Sequence, residues 1–244
     1  MTTAEKAMQA GRSPLYAQVY DILVQRISTG PWRPGQLLPN EFDLARELGV
    51  SQGTVRKALD RLAAEHLLVR RQGRGTFVAE HTADAVHFRY FHLHGPDGER
   101  ATPDSIGIKV SRGKASAADR ARLDLAPGAE VVRIDRIRTV EGEPVIAERI
   151  VLPGARFPDI ETVEPIPNTL YDLFQSRYGI TVAGADEQLT AGSATGAEAR
   201  QLNVAPGTPL LVIDRVALGV DGTRVEWRLS RCRTDRLTYI SRLR

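Results

Sequence analysis

Two groups of side chains in this sequence have the types and spacing to do chemistry. The first lies in a run with strand character, where period-two alternation places Val132, Ile134, Arg136 and Arg138 on one face. Across an EGEP turn, Glu148 shares its face with Ile146 and Ile150, so a carboxylate and two guanidiniums converge on an otherwise apolar surface. Burying such groups without partners is costly. Either the three pair with one another, or they line a cavity that receives a polar ligand. The second group is Gln52, Gly53, Arg56 and Lys57, opposite a helical stripe of Val55, Ala58, Leu59 and Leu62. Small or long polar side chains in the first two turns of a helix suit a nucleic-acid groove, where they meet base edges and phosphates.

Other reactive residue types lead less far. His92 and His94 would share one strand face as a possible metal pair, but no third ligand lies nearby, and no metal or cofactor is assigned. Cys232 has no histidine close in sequence, and its strand setting suits a small buried side chain rather than a nucleophile. With no nucleophile triad, metal cluster or phosphate loop in the sequence, no catalytic residue is assigned and no enzyme is expected.

The elements that must position the second group are legible in order. Pro14 starts a helix on which Tyr16, Val19, Tyr20, Leu23 and Ile27 recur at three- and four-residue steps up to Gly30. The segment 30–40, GPWRPGQLLPN, is a turn-rich connector. A second helix is expected from about Asn40 to Leu48, with Leu44, Ala45 and Leu48 inward and Gly49 as its stop. Ser51 caps a third helix reaching about His66. Two helices across a tight glycine-bearing turn make a helix-turn-helix. Residues 67–80, LLVRRQGRGTFVAE, then read as two short strands around Gly73-Arg74-Gly75, a wing that brings Arg71 and Arg74 near phosphates or into a minor groove.

Charge follows the same division. Of the formal +3, residues 1–80 carry 11 Lys and Arg against 8 Asp and Glu, whereas residues 81–244 carry 22 against 22. The excess sits where a polyanion would dock, although a solvated helix face is the plainer account of charge alone. At 244 residues, with 42% hydrophobic and 26% charged residues, the chain is long enough for two globular domains. No apolar run reaches the roughly 18 residues of a membrane helix, and the first residues lack a secretory signal, so a soluble cytoplasmic protein without membrane partners is expected.

The rest of the chain contains an internal similarity. Residues 121–145 resemble 199–225, with Leu123, Pro127, Gly128, Ile134, Asp135 and Arg136 matching Leu202, Pro206, Gly207, Ile213, Asp214 and Arg215 at a constant offset of 79. Each copy reads as helix, APG turn, strand, glycine turn, strand. Two copies predict a pseudo-symmetric antiparallel sheet with helices on one side, an α+β domain.

With these residues in view, PLYAQVYD (14–21), PGQLLPNE (34–41), GVSQGTVRKALDRLAAEHLL (49–68) and QGRGTFV (72–78) resemble the winged helix-turn-helix of the GntR family of bacterial transcription regulators. Residues 88–242, through RIRTVEGEPVIAERIVLP (136–153), NTLYDLFQSRYGI (168–180), EARQLNVAPGTPLLVIDR (198–215) and VEWRLSRCRTDR (225–236), resemble the UTRA ligand-binding domain of its HutC subfamily, similar in fold to chorismate lyase. The resemblance implies a winged helix-turn-helix domain at 1–79, a linker at 80–87 and an effector-binding and dimerisation domain at 88–244.

It also implies roles. Ser51, Gln52, Gly53, Thr54, Arg56, Lys57, Arg71, Gly73, Arg74 and Gly75 make up the expected DNA site, and Arg136, Arg138, Glu148, Thr169, Tyr171 and Glu226 the expected effector site. Family members often carry arginine where this chain has Phe42 and Gln52. Gln52 retains an amide able to read adenine, and Phe42 is expected to pack. Sugar-phosphate-sensing relatives have an arginine near Gly184 and a tyrosine near Cys232, both absent here. The implied function is a repressor, nucleoid-associated when bound to DNA, that works as a homodimer on a near-palindromic double-stranded operator and is released by a small polar or anionic effector. Two alternatives stand beside it: a DNA binder whose second domain only dimerises, and an enzyme on the lyase-like fold.

Overall fold

The computed structural model describes residues 13–28, 31–80 and 90–241. The expected helix end at Gly30, the linker beyond Glu80 and the first residues of the strand expected at 87–95 lie outside them.

The amino-terminal part holds three helices and a hairpin. Helix α1 (Leu15–Ser28) buries Val19, Leu23 and Ile27 at the spacing read from sequence. Helix α2 (Glu41–Leu48) is capped by Asn40, whose side-chain oxygen accepts the Asp43 N–H at 2.8 Å. It stops at Gly49, whose φ of +66° is the left-handed turn that favours glycine. Helix α3 (Gln52–Ala64) begins at Ser51, whose hydroxyl accepts the Thr54 N–H at 3.2 Å, and it ends two residues short of the expected His66. Leu44, Leu48, Val55, Leu59 and Leu62 meet the α1 stripe in one core. Strands β1 (Leu68–Arg71) and β2 (Gly75–Val78) form the hairpin, with Arg71 opposite Gly75. Gly75 has φ +110°, a left-handed backbone conformation that favours glycine, and its α-carbon approaches the movable tip of the exposed Leu37 side chain.

The second part is α+β. After the short strand β3 (Leu93–His94) come β4 (Asp104–Lys114), helix α4 (Ala117–Leu123), β5 (Glu130–Val140), β6 (Glu143–Pro153), helix α5 (Leu170–Tyr178), β7 (Val182–Ser193), helix α6 (Gly196–Leu202), β8 (Pro209–Gly219), β9 (Arg224–Arg233) and β10 (Thr238–Tyr239). Six strands form an antiparallel sheet in the order β4-β5-β6-β9-β8-β7, and β10 pairs with β3. The internal similarity is thus a pseudo-twofold repeat meeting at β6 and β9. It extends to fine structure: Ser116 with Asp119 and Thr195 with Glu198 form matching capping boxes, and Asp124 and Asn203 both end their helices at φ +53°.

One expectation is corrected. Helices cover both faces of the sheet, not one. Helices α4 and α6 pack Leu123 and Leu202 against Val131, Val151, Ala147 and Leu210. On the opposite face α5 packs Leu170, Tyr171 and Phe174 against Val132, Ile134, Ile150 and Leu152. Helix α5 comes from the connector between the two copies, which the repeat pattern leaves out. The strand expected around 87–95 is also reduced to Leu93–His94 among the described residues.

Candidate DNA-binding face and effector site

Because α3 turns its apolar stripe onto α1 and α2, its other side faces solvent. Ser51, Gln52, Gly53, Arg56 and Lys57 are exposed and Thr54 is half-buried. Arg71, Gly73, Arg74 and Gly75 are exposed on the hairpin. The face is organised by Glu41, a residue the sequence reading did not single out. Its carboxylate accepts the Arg56 Nε–H at 2.9 Å and is approached by Gln52 Nε2 at 3.4 Å, while Arg70 Nη2 lies 3.8 Å away. Glu41 raises the pKa of Arg56 through that hydrogen bond. Lys57 is drawn to one flank, its Nζ 4.0 Å from the Tyr16 ring centroid, and Arg71 lies over Phe77 at 4.7 Å. Phe42, expected to pack, is instead 64% exposed, because α2 buries Leu44, Ala45 and Leu48 and leaves its second residue outside that stripe.

The effector candidates lie on the α5 face of the sheet. Alternation carries β5 from Val132 and Ile134 in the core to Arg136 and Arg138, and register sets Arg136 opposite Glu148 on β6. Arg136 Nε donates to Glu148 Oε2 at 2.6 Å and its Nη1 donates to the Asn168 carbonyl at 3.1 Å. Arg138 Nη2 donates to the Pro103 carbonyl at 2.7 Å, with its Nη1 3.9 Å from Glu148. Tyr171 on α5 donates to Glu226 Oε1 at 3.0 Å. Five of the six expected residues therefore belong to one network, joined by a residue the sequence reading missed: Arg228, which pairs with Glu226 at 2.8 Å and reaches Glu148 at 3.5 Å. Ser230 completes Glu148 at 3.1 Å. Both missed residues follow Glu226 at two-residue steps, so the period that places Arg136 beside Arg138 would have found them. Thr169 stands apart: it precedes α5 as its N-cap and makes no side-chain capping bond.

The second copy extends the belt. Arg215, the counterpart of Arg136, pairs with Glu187 on β7 at 2.6 Å and donates to the Tyr90 carbonyl. Four guanidiniums (Arg136, Arg138, Arg215, Arg228) thus lie among the carboxylates of Glu148, Glu187 and Glu226, with Asp104 also acting on Arg138, in a charged belt between two apolar clusters. Burial pushes the Glu148 carboxyl up, but Arg136, Arg228 and Arg138 outweigh it and hold the group well below the usual carboxylate range. Burial, reinforced by Arg136, pulls Arg138 down to about 9, still a cation at neutral pH. Burial and then Glu226 raise the Tyr171 hydroxyl.

Two guanidinium nitrogens in this belt, Arg136 Nη2 and Arg138 Nε, are buried and have no hydrogen-bond partner among the described residues. A buried unpaired donor of this kind is rare and favours an acceptor of negative charge. A cavity of about 350 Å³ lined by Tyr90, His92, Gly184, Ala185, Glu187 and Arg215 flanks the other half of the belt. Of the two histidines considered as a metal pair, His94 has its Nδ1 3.0 Å from the Gly98 carbonyl and His92 packs on Tyr239, and among the described residues no group of three or more His, Cys, Asp or Glu stands together.

Two family models match different parts of the chain. The model of the gntR family of bacterial regulatory proteins matches residues 15–78, and that of the UTRA domain matches residues 99–238. The histidine utilization repressor of Pseudomonas putida is 32% identical over 209 residues, covering 85% of this chain and 84% of that protein. The mannosyl-D-glycerate transport/metabolism system repressor MngR of Escherichia coli (strain K12) is 29% identical over 232 residues, covering 92% and 94%. The crystal structure of PhnF from Mycobacterium smegmatis superposes with a TM-score of 0.55 at 25% identity, covering 93% of this chain and 99% of that one.

Proposed function

The chain belongs to the gntR family of bacterial regulatory proteins, in the branch with a UTRA domain, and from that premise we propose that it is a homodimeric repressor released from its operator by a small anionic metabolite. Family and relatives are transcriptional regulators rather than enzymes, which sets aside the lyase-like alternative.

Operator binding rests on Ser51, Gln52, Gly53, Thr54 and Arg56 at the start of α3, with Lys57 on its flank and Arg71, Gly73, Arg74 and Gly75 on the wing. Phosphate contacts supply affinity, and base-edge contacts from the first turns of α3 supply sequence. A dimer would place two such helices on half-sites about 34 Å apart, so the operator is near-palindromic.

Effector binding rests on Arg136, Arg138, Glu148, Tyr171 and Glu226, with Thr169 at the α5 N-terminus and Arg228 linking the two carboxylates. The observation that carries the anionic assignment is the pair of unsatisfied guanidinium donors, Arg136 Nη2 and Arg138 Nε. An effector carboxylate or phosphate offers both of them a charged acceptor. The internal pair Arg136–Glu148 holds the site in order without ligand, so the pairing and the binding readings are two states of one cluster.

The test is a thermal-shift screen of small carboxylates and phosphates against the full chain, followed by titration of each hit into a protein–duplex complex. A hit that raises the melting temperature and lowers operator affinity supports the proposal. Stabilisation by neutral or cationic metabolites alone contradicts it.

A further inference from the structure

Gln175 on α5 is a buried polar side chain outside the effector network. Its Nε2 donates twice, to the Thr181 hydroxyl at 3.1 Å and to the Ala79 carbonyl at 3.4 Å. The second bond joins α5 to the residue that follows the wing strand β2, 96 positions away in the chain. Ala79 in turn donates to the Leu67 carbonyl at 2.9 Å, just beyond α3. Apolar side chains cross at the same place: Ala183 on β7 and Val220 in the β8–β9 turn pack against the core that α1, α2 and α3 share. That turn is held from its own side, by the Val220 N–H on the Thr181 carbonyl at 3.2 Å and by Arg156, 3.6 Å from Asp221.

These contacts adjoin the effector site. Tyr171 precedes Gln175 by one helical turn on the buried side of α5, and Gly184, next to Ala183, lines the cavity beside Arg215. Tyr90 joins the two, its hydroxyl on the Val182 carbonyl at 3.2 Å and its ring 5.2 Å from that of Tyr171. With these contacts made, Gln52, Arg56 and Lys57 stay exposed, so the DNA-reading face is left open. A winged domain free to swing must be ordered when it binds, whereas one held in place has that cost already met. We propose that Gln175, Ala183 and Val220 form an intramolecular docking surface that holds the winged domain against the effector domain, so that the two α3 helices of a dimer meet both half-sites at one spacing. The proposal rests on the dimeric repressor reading and adds the residues that couple its two parts.

The test uses the full chain, a duplex it recovers from a random pool, and the same duplex with one half-site scrambled. A dock of this kind acts on the engagement of the second half-site, where a fixed spacing raises the effective concentration of the second winged domain. Gln175→Met keeps the bulk of the side chain and removes its amide, and Val220→Asp sets a charge against the apolar contact. Each should weaken binding to the intact duplex by about 5- to 150-fold, the range of a typical coupling between sites, and should bind the half-scrambled duplex as the wild type does. Unchanged affinity for the intact duplex in both variants, an equal loss on the two duplexes, or a gain on the intact one overturns the dock while leaving the DNA-binding face as proposed. A wild type that binds the two duplexes alike overturns the dimeric reading itself, and this inference with it.

Discussion

Arg136 and Arg215 hold equivalent positions in the two halves of the sheet, 79 residues apart, yet they take their carboxylates from opposite sides. Arg136 faces Glu148 on the inner strand β6, whereas Arg215 faces Glu187 on the edge strand β7. The inner pair is thereby buried among further guanidiniums, and the outer pair borders a cavity. Both arginines are thus paired with a glutamate, but Arg136 also keeps a buried Nη2 without a hydrogen-bond partner among the described residues, and the predictions for the proposed effector site follow from that difference.

Arg138→Ala separates binding from scaffolding. Among the described residues the side chain donates to the Pro103 carbonyl and lies 3.9 Å from Glu148, so its loss leaves Arg136–Glu148 in place. Operator affinity and dimerisation should survive, while release by an anionic effector, a coupling of about 1–3 kcal/mol or 5- to 150-fold, should vanish. Fluorescence anisotropy on operator duplex with and without effector measures both. Collapse of the dimer would instead identify the cluster as structural.

Glu148→Gln should be far more damaging. It leaves Arg136, Arg138 and Arg228 buried around a neutral group, and breaking a buried pair in this way costs about 3–5 kcal/mol. Urea unfolding at neutral pH reads that loss. The pH dependence has a definite sign. The folded-state pKa of Glu148 is depressed, so its stabilisation is complete above the unfolded value of about 4.3 and is lost as pH falls through the folded value below it. Wild-type stability should drop with a steeper slope below about pH 4.3 than that of Glu148→Gln; parallel slopes would contradict the assignment.

Glu41→Gln tests the contact between α2 and α3. The carboxylate both orients Arg56 and cancels part of the positive charge of the face. Its neutralisation should strengthen binding to unrelated duplex at low salt and weaken discrimination in favour of the operator. Competition titrations with nonspecific DNA at several salt concentrations give both quantities, and an unchanged specificity ratio would remove Glu41 from the reading apparatus.

What was legible in the sequence was what is local or periodic. Asn40, Gly49 and Ser51 announce their helix boundaries because a cap is a contact over three or four residues, and the repeat announces the paired halves of the sheet. Arg136 and Arg138 were legible because a strand alternates, and Arg228 and Ser230 would have been for the same reason. Contacts between helices were not. Nothing in the spacing of Glu41 and Arg56 states that two helices bring them to 2.9 Å, or that Lys57 turns back onto Tyr16. Phe42 was misread because hydrophobic type predicts burial on average, whereas its place one step off the α2 stripe decides its exposure.

The central claim is that the exposed side of α3 reads duplex DNA while the wing holds its backbone. The most direct measurement is the affinity of the full chain, Arg56→Ala and Arg74→Ala for a duplex recovered by the wild type, across a salt series. Arg56→Ala should cost about 1–3 kcal/mol on the operator with little change on unrelated duplex, and Arg74→Ala should weaken both and lower the salt slope by about 1. Operator affinity unchanged in both variants would contradict the account.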